Sequence, residues 1–375
     1  MFIGLPRMHK EAAEVRDFLP DFVAYLSQQQ VDGIIVEEGY GSGMGVRSDN
    51  YLRTSPKVKV GTYEDCLAQD IVIVIRAPDP DALRGVRPGA VMLAMFHYPT
   101  NPRRNVVLLD SGIHAVSLDS IVDDRGRRLI ENISMVGWNG METAFRELAQ
   151  IHPAFDHPER PAIKVTILGS GAVAGAALFG AARYGDQDLH SRMVARRVKG
   201  VEVTAVDFDL TNDEAYMRSR LSETDVLVDA TRRPDPSKIV IPNAWLEVLP
   251  DHAVICDLTA DPYDHSLDPP ICKAIEGVPH GTLEHYVFRT NDPVYQPLSE
   301  FVNTSNRRVT VSCYSWPGLH PRASMAVYGS QLESILDVVL TKRPEDWDIT
   351  SDKHLERSVA RAEVTRWSHM ANLSR

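Results

Sequence analysis

Three groups of residues in this sequence could do chemistry together: a glycine turn, a guanidinium and an imidazole at strand ends, and several carboxylates. The stretch Val165 to Tyr184 reads VTILGSGAVAGAALFGAARY. A β-branched run breaks at Gly169-Ser170-Gly171 and continues through Ala172 and Val173 as small apolar residues, the order strand, glycine turn, buried helix. Such a turn suits a dinucleotide. Gly169 permits the bend, Gly171 lets the backbone approach a pyrophosphate at the helix N-terminus, and Ala174 or Gly175 lets the helix pack on its strand. A second strand, Val201 to Val206, ends on Asp207, where a carboxylate would take the ribose hydroxyls. Asp207 lies 36 residues beyond Gly171, instead of the usual ~20, because a polar insert, Asp186 to Gly200, intervenes. The competing reading is a glycine turn that serves structure alone. Arg76 and His97 end two further apolar strands, Ile71 to Ile75 and Ala90 to Met95, at the edge where open α/β sheets bind ligands. Their bland alternatives are a surface guanidinium beside Pro78 and Pro80, and a cap.

The elements that must position these residues alternate strand and helix. Met1 to Leu5 and Val31 to Val36 read as strands, with an amphipathic helix over Arg16 to Gln30 between them. Ile71 to Ile75 is apolar on both faces and so predicts a central strand of a parallel sheet. Asn105 to Val116 reads as a helix or a helix and a strand, Ser117 to Arg128 as a polar connection, and Ser134 to Ile151 as a long helix. Later strands are expected at Val226 to Ala230, Ala253 to Asp257 and Arg308 to Cys313, then a helix from Ser324 to Leu340 and a charged helical tail to Arg375.

Composition sets the outer limits. A chain of 375 residues exceeds the usual single core, so two domains are expected. A net charge of −11 argues against general affinity for nucleic acid or an anionic membrane. No apolar run reaches the ~18 residues that span a bilayer, and no signal peptide is evident, so a cytoplasmic location is expected. Cys66, Cys256, Cys272 and Cys313 lack CxxC spacing and read as reduced, buried thiols, and no metal site is expected.

The order of several motifs resembles the family of alanine dehydrogenase, pyridine nucleotide transhydrogenase and the opine-type enzymes saccharopine dehydrogenase and carboxyethylornithine synthase. These are IGLP at Ile3, VRDFLP around Arg16, VEEGYGSG at Val36 to Gly43, the Arg76 and His97 strand ends, LGSGAVAG, ICDLTAD ending at Asp261, and WPGLHPRAS at Trp316 to Ser324. In its long gap and its VEEGYGSG the chain is nearer the opine-type branch. The resemblance implies an α/β fold of two Rossmann-like domains with parallel sheets and a cleft between them. A discontinuous substrate domain would take residues 1–137 and 318–375, and a dinucleotide domain 138–317. It also implies Arg16 as a substrate-carboxylate ligand, His97 as general acid/base and Asp261 as a carboxylate of the cleft, with Gly169, Ser170, Gly171, Ala172, Val173 and Asp207 at the cofactor.

One departure stands out. Arg76 replaces the family's lysine, and a guanidinium can clamp a carboxylate but cannot take part in proton transfer. Two arginines suggest two carboxylates, as in a secondary amine built from an amino acid and a 2-oxo acid. The expected activity is therefore an amino-acid or opine dehydrogenase acting on a C–N bond, using NAD in preference to NADP because Asp207 would repel a 2′-phosphate. A homo-oligomer is left open. Two other readings stand beside it: an NAD-binding sensor without hydride turnover, and an amino-acid cyclising deaminase that uses bound NAD.

Overall fold

The computed structural model describes residues 1–259 and 261–373. Ala260, within the ICDLTAD motif, and the last two residues of the tail lie outside them. In chain order the elements are β1 (Phe2–Leu5), α1 (Pro20–Gln28), β2 (Gly33–Glu37), α2 (Ser48–Leu52), β3 (Val58–Gly61), α3 (Tyr63–Leu67), β4 (Ile71–Arg76), α4 (Pro80–Leu83), β5 (Val91–Met95), α5 (Pro102–Asp110) and β6 (His114–Ser117). There follow α6 (Ile133–Ile151), β7 (Ile163–Leu168), α7 (Ala172–Ala181), α8 (Gln187–Ala195), β8 (Val201–Val206), α9 (Glu214–Leu221), β9 (Val226–Asp229), β10 (Val254–Asp257), β11 (Val287–Phe288), α10 (Tyr295–Leu298) and β12 (Val309–Ser312). Helices α11 (Pro321–Thr341), α12 (His354–Ala362) and α13 (Val364–Leu373) close the chain.

These elements form two compact units. The first comprises Met1–Asn132 and His320–Arg375, the second Ile133–Leu319. The first unit carries a six-stranded sheet in the order β3-β2-β1-β4-β5-β6, parallel throughout. Residues Ile71 to Ile75 of β4 are all buried, as a strand covered on both faces requires. Strand order reverses direction between β1 and β4, so the carboxyl ends of these two strands flank a switch point. On the core, α11 contributes Met325, Tyr328, Leu332, Ile335, Leu336 and Val339 to the same apolar cluster as Ile3, Val72 and Leu93.

The second unit carries β11-β12-β10-β9-β7-β8. Its strands are parallel except β11, which runs antiparallel to β12 at the sheet edge. Strand β7 lies between β8 and β9, so its carboxyl end is the switch point of this sheet.

Several local outcomes differ from the sequence expectation, each for a definable reason. Helix α1 starts at Pro20 and leaves Arg16 to Leu19 outside it, with Leu19 extended at ψ 158°. The proline is suited to the first helical turn, and it disfavours helical geometry in the residue before it. The polar insert after α7 contains a helix, α8, whose N-cap Asp186 accepts the N–H groups of Asp188 and Leu189, both at 2.8 Å. Helix α7 is buried along one face only. Ala174, Ala177 and Ala181 are inside, whereas Leu178 and Phe179 are 45% and 53% exposed. Its small residues serve close packing on α6: a Cβ added at Gly137 would lie 2.5 Å from the backbone of Ala176 and Ala177. All four cysteines are free and buried.

Candidate functional site

In the first unit the candidate residues stand at the carboxyl ends of neighbouring strands. His97 follows β5 with a left-handed backbone, φ 52°. Its main-chain N–H donates to Asp119 Oδ1 at 3.3 Å, and its ring Nδ1 lies 3.2 Å from Asp119 Oδ2. Asp119 belongs to the segment after β6, which was expected to be a polar connection. It is buried, and it also accepts the Ser117 hydroxyl at 2.7 Å. Ser117 in turn accepts the Phe96 N–H at 3.0 Å, so the β6 end fixes the turn that carries His97. Burial works to raise the Asp119 pKa, but the bond and charge of His97 outweigh it, with help from Ser117, and hold the carboxyl at about 2. The His97 side chain remains 48% exposed. A carboxylate orienting a half-exposed imidazole is the arrangement of a general acid/base.

Arg76, the last residue of β4, faces two carboxylates, Glu14 Oε2 at 3.4 Å and Glu11 Oε1 at 3.7 Å. It lines a crevice of about 340 Å³ at the β1/β4 switch point together with Lys10, Glu37, Tyr63 and Asp79. Arg16 is buried and forks onto Glu14, Nε to Oε1 at 2.8 Å and Nη2 to Oε2 at 2.5 Å. Burial would raise the Glu14 pKa, but Arg16 and then Arg76 overcome this and lower it. The structure thus brings Arg16 and Arg76 together through Glu14, which sequence reasoning had not singled out although it stands two residues before Arg16.

In the second unit the glycine turn closes β7 as expected from its residues. Gly169 has φ +99°, and a Cβ there would meet the Ala230 carbonyl oxygen at 2.9 Å. At Gly171 and Gly175 a Cβ would meet nothing within 4 Å. The backbone before α7 is therefore open to an approaching phosphate, and Gly171 is the N-cap of a ten-residue helix. Asp207 is exposed one residue beyond β8, and its Oδ1 accepts the Phe208 N–H at 2.9 Å. Val173, Thr231, Arg232, Thr259 and Asp261 line a crevice of about 220 Å³. The donor set and the open turn fit a dinucleotide.

Asp261 is 41% exposed and pairs with Arg233 at 2.8 Å. Two further carboxylates end β9 and β10 in register, Asp229 opposite Asp257. Each accepts the N–H and hydroxyl of the threonine two residues on, Thr231 or Thr259. Asp257 also binds Lys273 at 2.6 Å and Ser312 at 2.9 Å. Burial, and then the neighbouring Asp257, push Asp229 up to about 7. The repeated D-x-T spelling, Asp229-Ala230-Thr231 and Asp257-Leu258-Thr259, was the available sequence signal. Away from this edge, His152, Asp225 and His252 bring three potential ligand atoms within 4.8 Å of one another. They come from the end of α6 and the turns before β9 and β10, so linear spacing could not show them. His252 already pairs with Asp225 at 2.8 Å, and His152 Nδ1 accepts the Ala154 N–H.

Among the described residues no helix is long and apolar enough to cross a membrane. The family model described as Alanine dehydrogenase/PNT, N-terminal domain, matches residues 11–136, the stretch that carries Arg16, Arg76, His97 and Asp119. Alanine dehydrogenase of Bacillus subtilis (strain 168) is 25% identical over 186 residues, which are 46% of this chain and 47% of that protein. The match thus spans about half the length of that relative. The NAD(P) transhydrogenase subunit alpha of Haemophilus influenzae is 20% identical over 389 residues, covering 96% of this chain and 70% of the relative. A solved L-alanine dehydrogenase has the same fold, with a TM-score of 0.66 at 15% identity over 97% of this chain and 94% of that one. The motif order, the two mostly parallel sheets and these similarities agree: residues 11–136 match the alanine dehydrogenase/PNT N-terminal domain, and the chain as a whole has the fold of an L-alanine dehydrogenase.

Proposed function

We propose that the protein is a nicotinamide-dependent oxidoreductase acting on the C–N bond of an amino acid or a related secondary amine. The observation that carries this reading is the His97–Asp119 pair at the end of β5, next to the strand that ends in Arg76. His97 exchanges a proton with the substrate nitrogen through its half-exposed ring while Asp119 holds the ring's orientation. Arg76 clamps the substrate carboxylate. Arg16 is already forked onto Glu14, which leaves Arg76 as the guanidinium for one substrate carboxylate. The Gly169–Gly171 turn with the α7 N-terminus would hold the pyrophosphate of the cofactor, and Asp207 its ribose. Bound nicotinamide would supply the hydride acceptor or donor. We assign NAD over NADP, since the exposed Asp207 carboxylate opposes a 2′-phosphate.

A second reading has an observation of its own. Arg76 stands where relatives are expected to have lysine and is already faced by Glu11 and Glu14, which suits a nucleotide-binding protein without turnover. Following the absorbance of the reduced nicotinamide with a panel of amino acids and 2-oxo acids tests both. Substrate-dependent turnover supports the enzyme; NAD binding with no turnover on any of them supports the second reading.

A further inference from the structure

Arg233, four residues after β9, is nearly buried at 5% side-chain exposure, while its partner Asp261 is 41% exposed. Nη1 of Arg233 donates to the carbonyls of Pro236 at 3.2 Å and Lys238 at 2.7 Å. Its Nη2 donates to the carbonyl of Cys272 at 2.6 Å and to Asp261 Oδ2 at 2.8 Å. A guanidinium fastened to three main-chain oxygens is a fixed object, and the more exposed carboxylate is the one being held. Burial would weaken the charge on Arg233, but the bond and charge of Asp261 outweigh it and raise the Arg233 pKa. An ionised carboxylate accepts hydrogen bonds and donates none. Both residues line the crevice that also contains Val173, two residues past Gly171, and the strand-end threonines Thr231 and Thr259.

We propose that Arg233 is a positioning residue that holds Asp261 as a fixed hydrogen-bond acceptor for the nicotinamide nucleoside half of the cofactor, whose ribose hydroxyls and carboxamide supply donors. This rests on the reading that the second unit binds NAD. The adenosine and pyrophosphate half is left to Asp207 and the glycine turn, so the two halves of the ligand report on different residues.

The test is equilibrium titration of the full chain with NAD and with ADP, which lacks the nicotinamide nucleoside. Arg233→Met lowers NAD affinity about threefold or more and leaves ADP affinity intact, and Arg233→Lys recovers part of the loss. Asp261→Ala, at a partly exposed position, lowers NAD affinity and leaves ADP binding intact, which keeps the test open should Arg233→Met fail to fold. Unchanged NAD affinity in a folded Arg233→Met, or in Asp261→Ala, overturns the proposal. So does equal loss of ADP binding, which would assign Arg233 to loop structure. A wild type that binds neither nucleotide overturns the cofactor reading itself, a distinguishable result.

Discussion

His97 adopts a left-handed backbone although it is not glycine, and a residue held there needs surrounding contacts to keep it. Asp119 supplies two of them, one to the main chain and one to the ring. His97→Ala should therefore reduce turnover by ~10²-fold or more while NAD affinity stays nearly unchanged, since the residue lies in the other unit from the glycine turn. A mutant that keeps a tenth of the wild-type rate would contradict the acid/base role. Asp119 also makes stability depend on pH. Its folded pKa, about 2, lies below the unfolded ~3.9, so its contribution is present above pH ~4 and is lost as pH falls through the folded value. Asp119→Asn should flatten the acid limb of a melting-temperature profile between about pH 5 and about pH 2. At Arg76 the expectation is specific to the fork: Arg76→Lys should raise KM about tenfold, because an ammonium is a point charge without bidentate geometry. A gain in turnover without loss of affinity would favour the non-enzyme reading. The sequence could place His97 and Arg76 because both end apolar runs. It could not show Asp119, which lies among the charged residues of SLDSIVDDRGRR and is distinguished only by burial against Ser117.

The strand–turn–helix of β7 and α7 was readable because its three parts are adjacent in sequence and each has its own residue signature. Gly169 tests it. With φ +99° and a Cβ position 2.9 Å from the Ala230 oxygen, Gly169→Ala should cost roughly 1–2 kcal/mol from backbone strain alone and should weaken NAD, measured by thermal melting and titration. The paired carboxylates of β9 and β10 were not readable, because their meaning comes from register across the sheet. Asp229 has its pKa raised to about 7, so its stabilising contribution is complete below the unfolded ~3.9 and is lost as pH rises through 7. Asp229→Asn, which keeps an acceptor for Thr231, should therefore gain stability over the wild type at about pH 8 and little at about pH 4. Equal effects at both would sink the assignment. Element boundaries were missed where one residue overrides a longer pattern. Pro20 delays α1, and Asp186 nucleates α8 within what reads as a polar insert. The two-residue β11 is too short to leave a periodic trace.

The two units differ in how the chain builds them. The second is continuous from Ile133 to Leu319, whereas the first needs His320–Arg375 to return to it. Six buried side chains of α11 enter the first core, and at ~1.5–3 kcal/mol each they are worth roughly 10 kcal/mol, comparable to the whole stability of an ordinary domain. A fragment of residues 1–132 should accordingly fail to give a cooperative melt, while residues 133–319 alone should melt cooperatively and keep NAD binding. Circular dichroism and titration of the two fragments check this, and a folded 1–132 fragment would contradict it. The parallel sheets could be anticipated from doubly apolar strands such as β4, but no local pattern tells which sheet α11 will cover. That separation in sequence also dictates an order of events during synthesis. When Ser312 has emerged from the ribosome the second unit has every strand it needs, while the nascent first sheet, made long before, still waits for α11 and for Val359 and Val364 further on, which belong to the same core. Its apolar face is the one a chaperone would meet, and a rare-codon pause placed after residue 319 would lengthen that exposure without touching a single residue of the finished protein.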